Sequence, residues 1–293
     1  MAFPDWPTSL GSYNLINPVD RWWAVTPYLA EHGHRLIASA VGVLTVGLAV
    51  WTWRADPRRW MRRLGWTALA LVIVQGILGG LRVLWVSLDL AVVHASVAQL
   101  FFATLVAMTL FTTRTWRERN GVLPEGTTTD RFRRLAVLTS GLIYLQIVMG
   151  ALLRHPGRGV DGGFAAIHVT GAFLVTGLVL ALFVMAQKHY ADNPVLTRAT
   201  GVLVGTVGLQ FALGLAAYVL MLYEAPEGIR STAQVLLTVG HLVVGALLFG
   251  ASVSTTLLAR RTPVAVSSDG ATSATQAALR SETPDPVLSV HDS

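Results

Sequence analysis

The sequence predicts an all-α integral membrane protein with seven transmembrane helices in two pseudo-repeated bundles, one of three helices and one of four. Only 13% of the 293 residues are charged, while 53% are hydrophobic; soluble domains carry about 25% charged residues. The mean hydropathy is clearly positive at +0.56. The apolar residues form runs of roughly the 20 residues that a helix needs to span a bilayer.

Each apolar run is predicted to be a helix, because an open sheet would leave backbone hydrogen bonds unmade in lipid. The runs lie at about 34–53, 65–86, 89–112, 135–154, 164–186, 199–222 and 233–258. They divide the chain into five parts. These are an extracytoplasmic segment (1–33), an N-terminal helical bundle (34–113), a cytoplasmic loop (114–134), a C-terminal four-helix bundle (135–260) and a disordered cytoplasmic tail (261–293).

The arginines mark the ends of the apolar runs in an alternating pattern. The connections at 54–64 and 113–134 contain five and six arginines, whereas the intervening connections contain one or two. Cytoplasmic loops are enriched in Arg and Lys. The pattern therefore predicts a multi-pass protein of the cell inner (plasma) membrane, with its N-terminus outside and its C-terminus cytoplasmic. The net charge of +6 is explained by this topology, and no nucleic-acid partner is expected.

The chain contains no cysteine. This excludes disulfides, thiolate metal sites, iron–sulfur clusters and covalent haem attachment through Cys-x-x-Cys-His. Any metal ion or haem iron must be held by His, Met, Tyr or carboxylate side chains.

A short pattern of a glutamine followed four residues later by a glycine recurs in the second, fourth and sixth runs. The pairs are Gln75 with Gly79, Gln146 with Gly150, and Gln210 with Gly214. Residues four apart lie on one helical face. Glycine lets helices approach closely, and a buried glutamine can hydrogen-bond across them. Helix packing alone would explain these pairs.

One histidine recurs early in every other run. The set consists of His34, His94, His168 and His241. Because alternate helices run in the same direction, all four side chains are expected in the outer half of the bilayer at comparable heights. A single intramembrane histidine is often a hydrogen-bonded packing residue, but ionisable residues in lipid are costly and tend to be functional. Four histidines at one level are therefore better explained by ligand binding than by packing.

Haem iron is the ligand that suits these histidines best. Neither cysteine nor a carboxylate at matching depth completes a zinc or copper site. Two neutral imidazoles can bind an iron porphyrin from opposite faces, inside an apolar helical bundle. The sequence therefore predicts two haem sites, one at His34 and His94 and the other at His168 and His241.

Charged residues near the outer ends of the runs extend this prediction. Haem propionates need cationic partners, and arginine binds carboxylates in a bidentate manner. The candidates are Arg35, Arg82, Arg154 and Arg158, although ordinary interfacial arginines would look the same.

Glu31 precedes His34 by three residues on the same helical face. It could move protons beside a haem, or it could be an acid favoured by the helix dipole. His32 is predicted to point away from His34.

Two motifs resemble one known family. Glu31-His32-Gly33-His34-Arg35 at a helix start resembles the Glu-x-x-His-Arg motif of the haem A synthase family, and residues 3–7 resemble that family's Pro-Asp-Trp-Pro loop. His94, His168 and His241 match its remaining ligands. The resemblance covers about residues 3–260.

The resemblance implies eight helices in two pseudo-symmetric four-helix bundles, and oxidation of the C8 methyl group of haem O to the formyl group of haem A. It implies that His34 and His94 face the substrate haem O, that His168 and His241 ligate a haem b cofactor, and that Glu31 is the essential acid. Haem O synthase or oxidase assembly factors are the expected protein partners, and an oligomer is compatible with the resemblance.

The chain departs from the family's pattern in two respects. Its seven runs include no counterpart of the family's first helix, so the substrate bundle is expected to be open on one side. Many members carry cysteine pairs, whereas Thr8 and Ser9 stand near the first such position here. A di-haem b-type electron-transfer cytochrome, or a haem carrier without catalysis, stays open as an alternative. Glu31 and the Pro-Asp-Trp-Pro segment favour the enzyme.

Overall fold

The computed structural model describes residues 5–14, 16, 18–118, 123–124, 126–153, 162–223 and 231–264. A short 3₁₀ helix at Trp22–Ala24 comes first. The α-helices are α1 (Thr26–Ala55), α2 (Arg59–Leu84), α3 (Leu88–Thr112), the single turn α4 (Arg114–Arg117), α5 (Thr127–Leu152), α6 (Gly162–His189), α7 (Pro194–Tyr223) and α8 (Thr232–Arg261). Within these residues, every α-helix except α4 is long and apolar enough to cross a membrane. The predicted all-α integral membrane fold is confirmed.

The seven long helices all begin before the apolar runs that predicted them, while α2 and α5 end two residues before those runs do. α1 begins at Thr26, eight residues before the predicted start, with a proline in its first turn, where the fixed φ of proline suits a helix. α2 and α5 begin with polar turns, Arg59-Trp60-Met61-Arg62-Arg63 and Thr127-Thr128-Thr129-Asp130. Hydropathy finds the lipid-spanning part of a helix and misses such polar turns outside it.

The helices form two groups that share one face. α5, α6, α7 and α8 form a closed ring in which each helix packs against the next and α8 returns to α5. In the other group α1 packs on α2 and α2 on α3. α3 joins the groups because it also packs against α8 and α5. This is the predicted arrangement of three plus four helices.

Tight packing is concentrated away from the ends at which α1, α3, α6 and α8 begin. One buried cluster includes Phe132, Leu182 and Leu196 at the opposite end of the ring. A second fills the middle of the ring with Val179 and Leu203. A third, around Met61, Ala68, Met108 and Phe111, joins α2 to α3 near the far end. The described ends where α1, α3, α6 and α8 begin contain no comparable cluster.

The turn between α1 and α2 is fixed by an ion pair. It lies at the far end of the bundle, opposite the end at which α1, α3, α6 and α8 begin. Both carboxylate oxygens of Asp56 accept hydrogen bonds from Arg58, at 2.7 and 2.9 Å. This bonding lowers the pKa of Asp56 below its ordinary value, while burial acts in the opposite direction. Arg58 also donates to the backbone oxygen of Phe111, at 3.2 Å, which ties the turn to α3.

Candidate functional site

The four predicted histidines lie at one level of the bundle. His34, His94, His168 and His241 stand six to nine residues after the first residues of α1, α3, α6 and α8. At 1.5 Å per residue this places them about 9–14 Å along helices that begin at the same end. We call this the histidine end. His34 lies deeper than predicted, because α1 begins well before the apolar run.

Three of the histidines are held by the preceding helix in the same way. The glycine of each Gln–Gly pair gives room to an imidazole: a Cβ on Gly79, Gly150 or Gly214 would lie 3.3, 3.2 or 2.7 Å from the Cε1 atom of the facing histidine. The rings concerned belong to His94, His168 and His241. We call each set a Gln–Gly–His unit. The sequence contained this signal, but helix packing was an adequate explanation until the facing histidines were known.

The glutamines of these units bind the same histidine residues. Gln75 donates to the backbone oxygen of His94 at 3.1 Å, and Gln146 donates to that of His168 at 3.1 Å. Gln210 instead bonds the ring of His241: its amide nitrogen lies 3.2 Å from Nε2. The Gln–Gly pairs therefore position the histidines as well as pack the helices.

His168 and His241 face each other across the four-helix ring. Their ring centroids are 6.4 Å apart and their planes are inclined at 74°. Metal–imidazole bonds are about 2 Å long, so two ligating nitrogens on opposite sides of one ion lie about 4 Å apart and the ring centroids about 6 Å apart. At the observed separation, both imidazoles would be able to bind one haem iron.

His241 has the tautomer that can bind a metal through Nε2. Its Nδ1 atom donates to the backbone oxygen of Gln210 at 3.0 Å, so the proton lies on Nδ1. The Nε2 lone pair accepts from the amide of Gln210, and a metal ion bound at Nε2 would replace that hydrogen bond. A backbone acceptor at one ring nitrogen commonly fixes the other as the ligand.

Several polar atoms at this level are buried without hydrogen-bond partners within the described parts of the chain. They are Nδ1 of His94 and His168 and Oε1 of Gln99, Gln146 and Gln210. Buried polar atoms normally have partners. Together with the sparse packing at the histidine end, these atoms are consistent with a large polar-edged ligand such as haem between the helices.

The first histidine pair differs from the second. Among the described residues, His34 is exposed on α1, whereas His94 is half-buried on α3. No helix within those residues supplies His34 with a Gln–Gly pair. The shared ligation of one haem by His34 and His94 stays a prediction.

Glu31 and Arg35 form an ion pair beside His34. Arg35 donates through Nε and Nη2 to Oε1 of Glu31, at 3.2 and 3.1 Å. Their side chains are only 15% and 16% exposed. The predicted acid therefore lies within one helical turn of His34, and its position is fixed by a guanidinium.

The N-terminal segment of residues 5–12 folds back onto α1. Arg35 donates to the backbone oxygen of Thr8 at 2.5 Å and lies 3.5 Å from the carboxylate of Asp5. Ser9 bonds Nδ1 of His32 at 2.6 Å. His32 is 1% exposed, so the residue that was predicted to point away from His34 is an anchor for this segment.

The arginines predicted to bind propionates have different surroundings. Arg35 is engaged by Glu31, Thr8 and Asp5. Arg82 is half-buried in the last turn of α2, at the histidine end. Arg154 and Arg158 lie outside the described residues. The part of the chain that the structure describes contains no cluster of three or more His, Asp or Glu side chains able to hold a bare metal ion.

The fold and site together define a multi-pass helical membrane protein with one facing pair of histidines in its interior. Residues 12–162 match the model of the COX15-CtaA family, described as cytochrome oxidase assembly protein. The chain belongs to this family.

Curated relatives carry a single name. The heme A synthase of Alkalihalophilus pseudofirmus is 26% identical over 245 residues, covering 82% of this chain and 74% of that protein. That of Shouchella clausii is 25% identical over 241 residues, covering 75% and 77%. That of Rhizobium johnstonii is 28% identical over 226 residues, covering 74% and 56%. No solved structure matches the chain.

Proposed function

We propose that the protein is a haem A synthase, which oxidises the C8 methyl group of haem O to the formyl group of haem A for terminal oxidase assembly. Membership of the cytochrome oxidase assembly family supports the biological role. The name heme A synthase, shared by relatives that align with most of the chain, supports the reaction.

The observation that carries the proposal is the facing pair His168 and His241, 6.4 Å apart between their centroids. Gly150 and Gly214 leave room for these rings, because a side chain at either position would occupy the space that the imidazole fills. The same unit recurs at Gly79 and His94, which supports another haem-sized site in the first bundle. We call the site of His34 and His94 the first site and that of His168 and His241 the second site.

Each pair of histidines has a separate role in the proposal. His168 and His241 would hold a haem b cofactor, which when bound supplies electron transfer. His34 and His94 would hold the substrate haem O and fix the position of its methyl group, since orientation of a bound substrate accounts for much of an enzyme's rate. Arg82 at the same end is a candidate partner for a propionate.

Glu31 is the proposed proton acceptor. With water as the oxygen source, conversion of a methyl to a formyl group releases four protons and four electrons (R–CH3 + H2O → R–CHO + 4 H+ + 4 e−). The electrons would pass to an external electron acceptor, and a carboxylate fixed within one turn of His34 can receive protons at its Oε atoms. The bond from Arg35 to Oε1 holds this carboxylate in place and leaves Oε2 as the atom available for proton transfer.

The histidine end is proposed to face the outside of the plasma membrane, with the arginine-rich connections in the cytoplasm. The arginines of the α1–α2 turn and of the segment after α3 lie at the opposite end from the histidines, as the positive-inside rule requires. Haem O synthase is the proposed donor of substrate within the bilayer.

Pigment analysis tests the proposed function. The full chain is expressed in cells that make haem O but no haem A, and the extracted haems are separated chromatographically. Haem A should appear with the wild-type chain. Glu31→Gln should lower its yield about 100-fold or more, the usual effect of losing a general base.

Glu118→Gln, the same chemical change at the far end of the bundle, is the matched control and should retain the wild-type yield. If haem A never appears while haem b is bound and reduced normally, the protein is a di-haem electron-transfer cytochrome and the proposal is wrong.

A further inference from the structure

Trp6, in the N-terminal segment, lies directly against α2 at the histidine end. A Cβ added to Gly80 would lie 2.5 Å from Cε2 and 2.6 Å from Cδ2 of this indole. The ring therefore covers the glycine's Cα, and any larger residue at position 80 would displace it. Gly80 is buried by this contact.

The neighbouring glycine connects Trp6 to the first histidine pair. Gly79 accommodates the ring of His94, with Cε1 3.3 Å from a Cβ built at that position. Successive glycines of α2 thus contact an indole and an imidazole. Adjacent helix positions differ by about 1.5 Å in height and about 100° in direction, so the two rings contact neighbouring faces of α2 at nearly the same height.

The segment that carries Trp6 is also fixed to α1. Asp5, immediately before it, pairs with Arg35, and Thr8 accepts a hydrogen bond from the same guanidinium. Arg35 directly follows His34. Trp6 is therefore held between the helix that bears His34 and the helix that positions His94.

We infer that Trp6 is a substrate-positioning residue, whose indole forms one wall of the first histidine site and contacts the edge or face of the porphyrin bound there. The indole is 44% exposed, so part of its surface is available to a ligand. A rigid aromatic ring suits a porphyrin because offset stacking or edge contact adds to simple area burial. This inference rests on the proposed function.

A double-mutant cycle between Trp6 and Gly80 tests the inference. The full chain carrying His168→Ala and His241→Ala is titrated with ferric haem b, so that the first site alone gives the Soret absorption and circular dichroism. Trp6→Ala should weaken haem binding about 2–10-fold, the range of an aromatic contact, and change the sign or amplitude of the Soret dichroism. Trp6→Phe should retain most of the affinity.

Gly80→Ala should reproduce the effect of Trp6→Ala, because its methyl group would displace the indole. In the Trp6→Ala background, Gly80→Ala should have no further effect. Gly76→Ala, one turn earlier on α2, is the matched control: a Cβ there meets nothing within 4 Å, and binding should be unchanged.

Folding is checked in the chain that retains His168 and His241, where loading of the second site should not differ among the variants. Wild-type affinity and dichroism in both Trp6→Ala and Gly80→Ala would overturn the inference and leave the proposed function standing. If the chain with Trp6 and Gly80 intact binds no haem at the first site, the substrate site of the proposed function fails, and the inference fails with it.

Discussion

The imidazoles of His168 and His241 lie 6.4 Å apart between centroids, with their planes inclined at 74°. Each ring rests against a glycine of the preceding helix, Gly150 or Gly214. The two histidines are bound in different ways: Gln146 donates to the backbone oxygen of His168, whereas the backbone oxygen of Gln210 accepts from the His241 ring and fixes its tautomer. The separation of the two imidazoles is thus set by helix packing, which is a form of preorganisation.

Replacing either histidine of this pair should remove haem from the four-helix ring. His168→Ala and His241→Ala should each abolish the low-spin bis-imidazole spectrum of that site in the purified protein, while His189→Ala at the far end should not. The steeply inclined ring planes also predict a strongly anisotropic low-spin EPR signal for the ferric site. A spectrum unchanged by either alanine would contradict the assignment.

Gly214 should be intolerant of even a methyl group. In Gly214→Ala the new Cβ would lie 2.7 Å from Cε1 and 3.1 Å from Nδ1 of His241, so the ring must leave its position facing His168. Haem occupancy of the second site, measured as the ratio of Soret to protein absorbance, should fall several-fold.

Gly208→Ala on the same helix is the matched control for this change, since a Cβ there meets nothing within 4 Å. Alanine is favoured over glycine within helices by about 1 kcal/mol, so both variants gain helix propensity. Equal haem occupancy in the two variants would show that Gly214 does not position the ring.

Hydropathy alone was enough to predict the membrane fold, and repetition predicted that the four histidines lie near the beginnings of alternate helices. The Gln–Gly pairs were also visible, because their spacing depends on one helix only. The histidines that these pairs contact were not visible in the sequence, because the contact from Gln146 to His168 joins two helices and spans 22 residues. Periodicity predicts which residues of one helix share a face. It does not predict which residues of another helix pack against that face.

The N-terminal segment was beyond prediction for a related reason. It has no periodicity, and its position depends on contacts of Arg35 with Thr8 and of His32 with Ser9, 27 and 23 residues apart. His32 was set aside because it does not share the face of His34. Its burial comes from a segment that folds over another face of α1.

Arg133 should contribute to stability by closing the end of α8. It donates to the backbone oxygens of Ala259 and Thr262, at 3.0 and 2.8 Å; carbonyls in the last turn of a helix have no partners within the helix. Hydrogen bonds from a charged donor contribute about 1.5–3 kcal/mol. Arg133→Ala should lower the free energy of unfolding by about that amount.

The measurement for Arg133 is reversible unfolding in detergent followed by circular dichroism. Arg131→Ala removes the same charge from an exposed position two residues away and should be close to neutral. Equal destabilisation by both substitutions would mean that charge, rather than closure of the α8 end, is responsible.

Asp56 should give the α1–α2 turn a pH-dependent stability. Hydrogen bonding to Arg58 is the main cause of its lowered pKa, and burial opposes it. A carboxyl group with a depressed pKa in the folded state stabilises that state fully above the unfolded-state pKa of about 4. That contribution is lost as the pH falls through the lower folded-state pKa.

Asp56→Asn should therefore destabilise the protein at pH 7, by no more than about 1 kcal/mol because the pair is partly exposed. The difference from wild type should shrink steadily below pH 4 in thermal unfolding. Asp130→Asn, which changes an exposed carboxylate at the same end, is the control for loss of charge. A destabilisation by Asp56→Asn that stays constant from pH 7 to strong acid would contradict this assignment.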